Sequence, residues 1–245
     1  MHEHNHYRRP GKKIVDDKTL KLKTYNMFNR IPPVVKNLII INVIMFAATY
    51  LIGSNYMYEK LALFFFESPL FKPYQLITHM FMHGDMWHIL FNMYSLFIFG
   101  CVLEHVWGGK KFLLFYLVTG IGAALIHSGV MYLEAISLQN SLEAGNIAAN
   151  IKLTQLYTTP TVGASGAIYG LLLAYGMLFP NNVMQLIFPP VALKAKYFVL
   201  IFGALELLLG ITNSGGSIAH FAHLGGMIFG YFLIMYWKKQ NRMYY

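Results

Sequence analysis

Thr161-Val162-Gly163-Ala164-Ser165-Gly166-Ala167-Ile168-Tyr169-Gly170 runs without a break into Leu171-Leu172-Leu173-Ala174-Tyr175. A small-residue segment carrying a serine thus opens onto an apolar stretch that reads as helix. A second stretch, Ala219-His220-Phe221-Ala222-His223-Leu224-Gly225-Gly226, takes histidine into the same kind of surroundings. Serine inside a membrane helix costs little, whereas ionisable residues there are expensive and are functional candidates by default. A hydroxyl and an imidazole able to meet below a lipid surface suggest a nucleophile and its base.

Around these stretches the 245-residue chain is 56% hydrophobic and only 12% charged, with a mean hydropathy of +0.47. A soluble domain carries about 25% charged residues, so the class is integral membrane protein. Apolar runs at 37–58, 86–104, 111–133, 162–179, 197–211 and 217–237 predict six membrane-spanning helices, since about 20 residues cross the hydrocarbon layer. The fifth is the shortest, and Lys194 and Lys196 can snorkel at its start. The expected organisation is a basic tail over 1–36, a six-span all-α bundle over 37–237, and a tail over 238–245.

Lysine and arginine orient the chain. Of 19 such residues, only Lys60, Lys72 and Lys152 fall on the side opposite the tails. Both termini are therefore expected in the cytoplasm, with a bacterial inner membrane as the expected location. The net charge of +9 follows from this asymmetry and suits anionic lipid headgroups, so it does not indicate nucleic acid. Cys101, the single cysteine, excludes an intramolecular disulfide and reads as a small buried apolar residue. The first 36 residues show no apolar core of a cleavable signal peptide, and His2, His4 and His6 read as tail.

Two loops have distinct character. Leu61-Ala62-Leu63-Phe64-Phe65-Phe66 is too short to cross and too apolar for water, so it is expected in the outer interface. Residues 134–160 are rich in Asn, Ser and Thr and read as a solvated loop. The short uncharged segment 212–217 reads as a flexible loop that would act as a mobile cap.

Polar residues on the spans share a depth. With spans two, four and six running inward, His88, Asn92, Ser165 and His223 lie roughly 5–12 Å below the outer surface at 1.5 Å per residue. Gly166 with Gly170, and Gly226 with Gly230, form small-residue faces that let backbones approach. His88 and Asn92 are i, i+4 and share a face, where amide and imidazole N–H groups would suit a developing oxyanion; interhelical hydrogen bonding is the bland alternative. His79 and His83 read as braces of the loop. Gly163-Ala164-Ser165-Gly166-Ala167 is not the soluble G-x-S-x-G elbow, and no H-E-x-x-H zinc motif is present. Glu206, deep in span five, reads as the partner of another polar side chain rather than as a catalytic acid.

These motifs resemble the rhomboid intramembrane serine proteases. The resemblance rests on His88-Ile89-Leu90-Phe91-Asn92, on Gly163-Ala164-Ser165-Gly166 with Tyr169, and on Ala222-His223-Leu224-Gly225-Gly226 with Gly230. Glu104 after span two also fits, whereas the Trp-Arg pair common in the first loop of many members is missing. The resemblance implies a six-helix bundle and a Ser165–His223 dyad without a third acid. It further implies an oxyanion held by Asn92, His88 and the Ser165 N–H, with Tyr169 packed against the His223 ring. The expected partners are transmembrane protein substrates and the lipid bilayer, with no cofactor, no metal and no nucleic acid. His220 competes with His223 on the same helix; the motif and its glycines favour His223. An inactive relative that escorts clients would lack one dyad residue, and a small transporter would show repeated halves; neither feature is present.

Overall fold

Helix α1 (Pro33–Ile52) begins where proline costs nothing, because first-turn N–H groups lack intrahelical partners. Two of those orphans are satisfied from a distance: Val34 and Val35 donate to the Glu104 carboxylate at 3.0 and 2.7 Å. Glu104 is buried at the far end of the second long helix, so one side chain fastens the start of α1 to that end. Gly53, at φ 120°, stops α1 and turns the chain into the short helix α2 (Ser54–Leu61). The computed structural model describes residues 31–185, 191–212 and 217–240.

A short turn of helix, α3 (Gln75–Thr78), leads to α4 (Met86–Trp107), which is capped by Asp85 accepting from the His88 N–H. A π-turn at Leu96–Gly100 interrupts α4. There follow α5 (Gly109–Glu143), α6 (Ala148–Thr158), α7 (Ser165–Leu178), α8 (Ala195–Ile211) and α9 (Ser217–Lys239). Helices α1, α4, α5 and the 219–239 part of α9 are long and apolar enough to cross a membrane. At 14 and 17 residues, α7 and α8 are shorter. The protein is an all-α, multi-pass membrane protein; among the described residues an antiparallel pair, β1 (Val183–Gln185) with β2 (Ala192–Lys194), lies between α7 and α8.

Helices α5, α7 and α9 pack where side chains are smallest. A Cβ on Gly166 would sit 2.4 Å from the Ala123 Cβ, and one on Gly170 2.7 Å from the Thr119 Cβ. A Cβ on Gly226 would meet the Gly166 carbonyl oxygen at 1.8 Å. The glycine faces expected on spans four and six therefore do face one another, α9 lying nearly backbone-to-backbone on the start of α7. Phe112, Phe115, Tyr116 and Leu171 fill the core beneath them.

Several expectations change. The first helix starts at Pro33 rather than 37, and the last runs to Lys239. The 134–160 segment is largely helical: α5 continues to Glu143 and α6 folds back against it. Ala135, Leu138 and Leu142 sustain a helical stripe that an Asn- and Ser-rich composition hides. Its start is buried, Met131 and Ala135 clustering with Leu156 of α6 and Phe65. The Leu61–Phe66 run packs much of its apolar surface inside the protein. Leu63, Phe64 and Phe65 are buried, and Leu63 exchanges backbone hydrogen bonds with Thr161 at 2.9 and 2.8 Å. Cys101 is buried, as its apolar reading requires. The proposed cap falls mostly on 213–216, and the histidines of the tail on 1–30, outside the described residues.

Candidate active site

The segment before Ser165 is held from three directions. Thr161 pairs with Leu63 through the backbone, its hydroxyl lies 2.8 Å from His127 Nε2, and the Gly163 N–H donates to the His79 carbonyl at 2.9 Å. Gly163 has φ +130°, and a Cβ there would stand 2.8 Å from His88 Nε2. Backbone conformation and space both demand glycine at that position. The chain then enters α7 with Ser165 as its first residue. Its N–H and those that follow have no carbonyl one turn back, so they form a fixed cluster of donors at the positive end of a helix dipole.

His223 on α9 meets Ser165 directly: Nε2 lies 2.8 Å from Oγ. The imidazole is sandwiched from one side by Tyr169, with ring centroids 4.3 Å apart and planes 7° from parallel. Its other nitrogen, Nδ1, is 3.0 Å from Glu206 Oε2. His220 Nδ1 reaches the same oxygen at 2.6 Å, and the Tyr169 hydroxyl donates to Glu206 Oε1. Among the two competing histidines, then, His223 faces the serine and His220 faces the carboxylate.

His88 stands beside Gly163, with the Gly84 N–H 3.4 Å from its Nδ1, a long hydrogen bond that leaves Nε2 to carry the proton. Asn92 donates one amide N–H to the His88 carbonyl at 2.8 Å, and its buried Oδ1 has no partner. His83 stacks edge-on against His88 at 5.0 Å. Burial pushes His79 down to about 4 and His83 to about 3, so both are neutral braces near pH 7. A cavity of about 50 Å³ opens beside Ser165 and His223, lined also by His79, His127, Thr161 and Gly163. That is enough space for water among polar partners.

Sequence reasoning missed the closeness of Glu206 to His223. The resemblance implies no third acid, yet a carboxylate sits on His223 Nδ1; the signal was an acidic residue in an otherwise apolar helix. By residue type Glu206, His220 and His223 could hold a divalent cation, their ligand atoms lying within 4.8 Å of one another. Two ligands of a tetrahedral zinc, each about 2.0–2.1 Å from the metal, stand roughly 3.3 Å apart. The nitrogen–oxygen distances of 2.6 and 3.0 Å are those of direct hydrogen bonds.

Serine, imidazole and helix N-terminus meet on small-residue helices, and the family model of the rhomboid domain matches residues 71–240, more than half of the chain. The chain belongs to the rhomboid family. This rhomboid is 29% identical to Rhomboid protease AarA of Providencia stuartii over 153 residues, which are 62% of this chain and 51% of that protein. It is 29% identical over 162 residues to RHOMBOID-like protein 6, mitochondrial, of Arabidopsis thaliana, covering 66% of this chain and 43% of that one. Rhomboid protein 1, mitochondrial, of Saccharomyces cerevisiae is 26% identical over 171 residues, 68% of this chain and 44% of the relative. The chain thus spans about half the length of these relatives. Both bacterial and mitochondrial proteins stand among them.

Proposed function

We propose that this rhomboid is a serine endopeptidase that hydrolyses peptide bonds in or beside transmembrane segments of other membrane proteins. The observation that carries the reading is the 2.8 Å hydrogen bond between His223 Nε2 and Ser165 Oγ at the N-terminus of α7. In the reaction Oγ attacks the scissile carbonyl carbon while its proton passes to Nε2. The carbonyl oxygen becomes an oxyanion beside the free N–H groups of α7 and the His88 ring, with Asn92 as a further amide donor. The imidazolium then gives its proton to the departing amine, leaving an acyl-serine. Water from the adjoining cavity loses a proton to Nε2 and attacks the ester, regenerating Ser165. Tyr169 keeps the imidazole plane fixed through both halves.

In this reading α7 and α8 also span the bilayer, which makes six spans, and both termini are cytoplasmic. The Lys and Arg distribution supports that orientation. Ser165 and His223 then lie below the outer surface, and substrate arrives sideways between α4 and α8.

The test is purified protein in proteoliposomes with a panel of single-span substrates. Wild type cleaves at least one of them, and Ser165→Ala does not. His223→Ala loses cleavage and fluorophosphonate labelling of Ser165, whereas His220→Ala keeps much of both. Cleavage by Ser165→Ala equal to wild type refutes the assignment.

A further inference from the structure

Glu206 lies in the second half of α8, whose other buried residues are Ala195, Phe198, Val199 and Gly210. A carboxylate in such a helix is costly unless its oxygens are satisfied. Here three groups on two other helices reach them: Nδ1 of His220 and of His223, both on α9, lie 2.6 and 3.0 Å from Oε2, and the Tyr169 hydroxyl of α7 donates to Oε1. An ionised carboxylate can only accept. His223 Nδ1 therefore carries a proton, and Nε2 presents its lone pair to the Ser165 hydroxyl 2.8 Å away. That is the tautomer a base for Ser165 must have; the opposite one would point N–H against the hydroxyl.

We infer that Glu206 is a positioning residue of the active site, the third member of a Ser165–His223–Glu206 triad. The inference rests on the protease reading and departs from a two-residue site. Glu206 fixes the tautomer and ring orientation of His223, and its negative charge stabilises the imidazolium formed when Oγ transfers its proton to Nε2. The proton stays on the imidazole and Glu206 remains ionised throughout. It also grips Tyr169, so the carboxylate sets the ring edge-on and the stacking partner face-on. His220 occupies the same oxygen from one turn earlier and anchors the carboxylate; it does not touch the serine.

A purely structural role, tying α7, α8 and α9 together, would make Glu206 matter for folding and not for turnover. Glu206→Gln and Glu206→Leu separate the two. Glutamine keeps the side-chain volume and one acceptor oxygen, whereas leucine leaves His220, His223 and Tyr169 without that acceptor and is expected to cost stability, so the unfolding midpoint is read beside kcat. In proteoliposomes the variants are compared with wild type and Ser165→Ala for kcat, KM and unfolding midpoint. The expected result is that each folded variant without the carboxylate loses roughly 100- to 10,000-fold in kcat, with KM within about threefold. Glu206→Asp, which restores a carboxylate on a shorter arm, recovers at least about tenfold of the loss. A folded Gln or Leu variant with kcat within about threefold of wild type overturns the inference while leaving the protease reading intact. Absence of Ser165-dependent cleavage by the wild type overturns the protease reading itself.

Discussion

The approach of α9 to α7 makes a prediction that can be worked from one distance. A methyl group at position 226 would lie 1.8 Å from the Gly166 carbonyl oxygen, where ordinary contact begins at 3.4 Å. Gly226→Ala must therefore push the two backbones apart by about 1.6 Å, because neither is a flexible side-chain end that can swing away. His223 sits just under one turn before Gly226 on α9, and Ser165 is the residue before Gly166. The separation passes almost undiminished to the Nε2–Oγ hydrogen bond, stretching it from 2.8 Å toward about 4 Å, beyond useful length. Overpacking of this kind costs about 1–3 kcal/mol of stability, and a displacement of about 1 Å between reacting groups costs on the order of 100-fold in rate.

Gly230 supplies the control on the same face. A Cβ there meets Phe115 Cζ at 3.1 Å and the Gly170 Cα at 3.4 Å, so a small ring shift accommodates it. The assay is the rate of fluorophosphonate labelling of Ser165 together with kcat on a transmembrane substrate. Gly226→Ala is expected to lose about 100-fold or more in both, and Gly230→Ala less than about tenfold. Wild-type labelling of Gly226→Ala, or equal losses in the two variants, would refute the argument that this crossing sets the distance between serine and histidine.

Asn92→Ala should lower kcat roughly 10- to 1000-fold with a smaller change in KM; an unchanged kcat with a lower unfolding midpoint would make Asn92 helix glue. Glu104→Ala leaves the buried N–H groups of Val34 and Val35 without acceptors and should cost roughly 2–4 kcal/mol in denaturant unfolding, an outcome that an unaltered midpoint contradicts. His79 falls from an ordinary 6.5 to about 4 by burial, so the unfolded chain binds the extra proton first as pH drops. Its contribution is complete above about pH 6.5 and is lost progressively down to about pH 4, about 3 kcal/mol in all. Thermal melts at pH 7.5 and 4.5 should show this loss, and His79→Gln should flatten it. A disulfide engineered between α4 and α8 in a Cys101→Ser background should block cleavage of transmembrane substrates until reductant is added; full activity when oxidised would exclude sideways access there.

The long helices were legible because hydrocarbon thickness imposes a length and a composition that no loop imitates. What was not legible lay where polar composition and helical geometry disagree. Residues 134–160 carry Asn140, Ser141, Asn146 and Thr154, yet Ala135 and Leu156 pack on Phe65, and tertiary burial overrides the loop-like composition. The burial of Phe65 was not legible because its partners, on α5 and α6, are far away in sequence. The π-turn in α4 leaves no local mark either; Gly100 has a close neighbour in Val35 of α1, 2.9 Å from where a Cβ would be.

The site divides in the same way. Ser165, Tyr169 and the glycines before and after them are local: a positive-φ Gly163, a serine at a helix start and small residues at fixed spacing all follow from one short segment. His223 is legible through its own helix, since the glycine at 226 selects the face that meets α7. Glu206 belongs to neither segment. Nothing within α8 says which oxygen will meet which imidazole, because that depends on the rotation of α8 against α9, and apolar neighbours on every side leave that rotation unmarked. An isolated carboxylate in an apolar helix announces that it has a partner and stays silent about which one. Only the packing of α7, α8 and α9 makes Nδ1 of His223 that partner, and on that contact rests the proposal that the carboxylate orients the base.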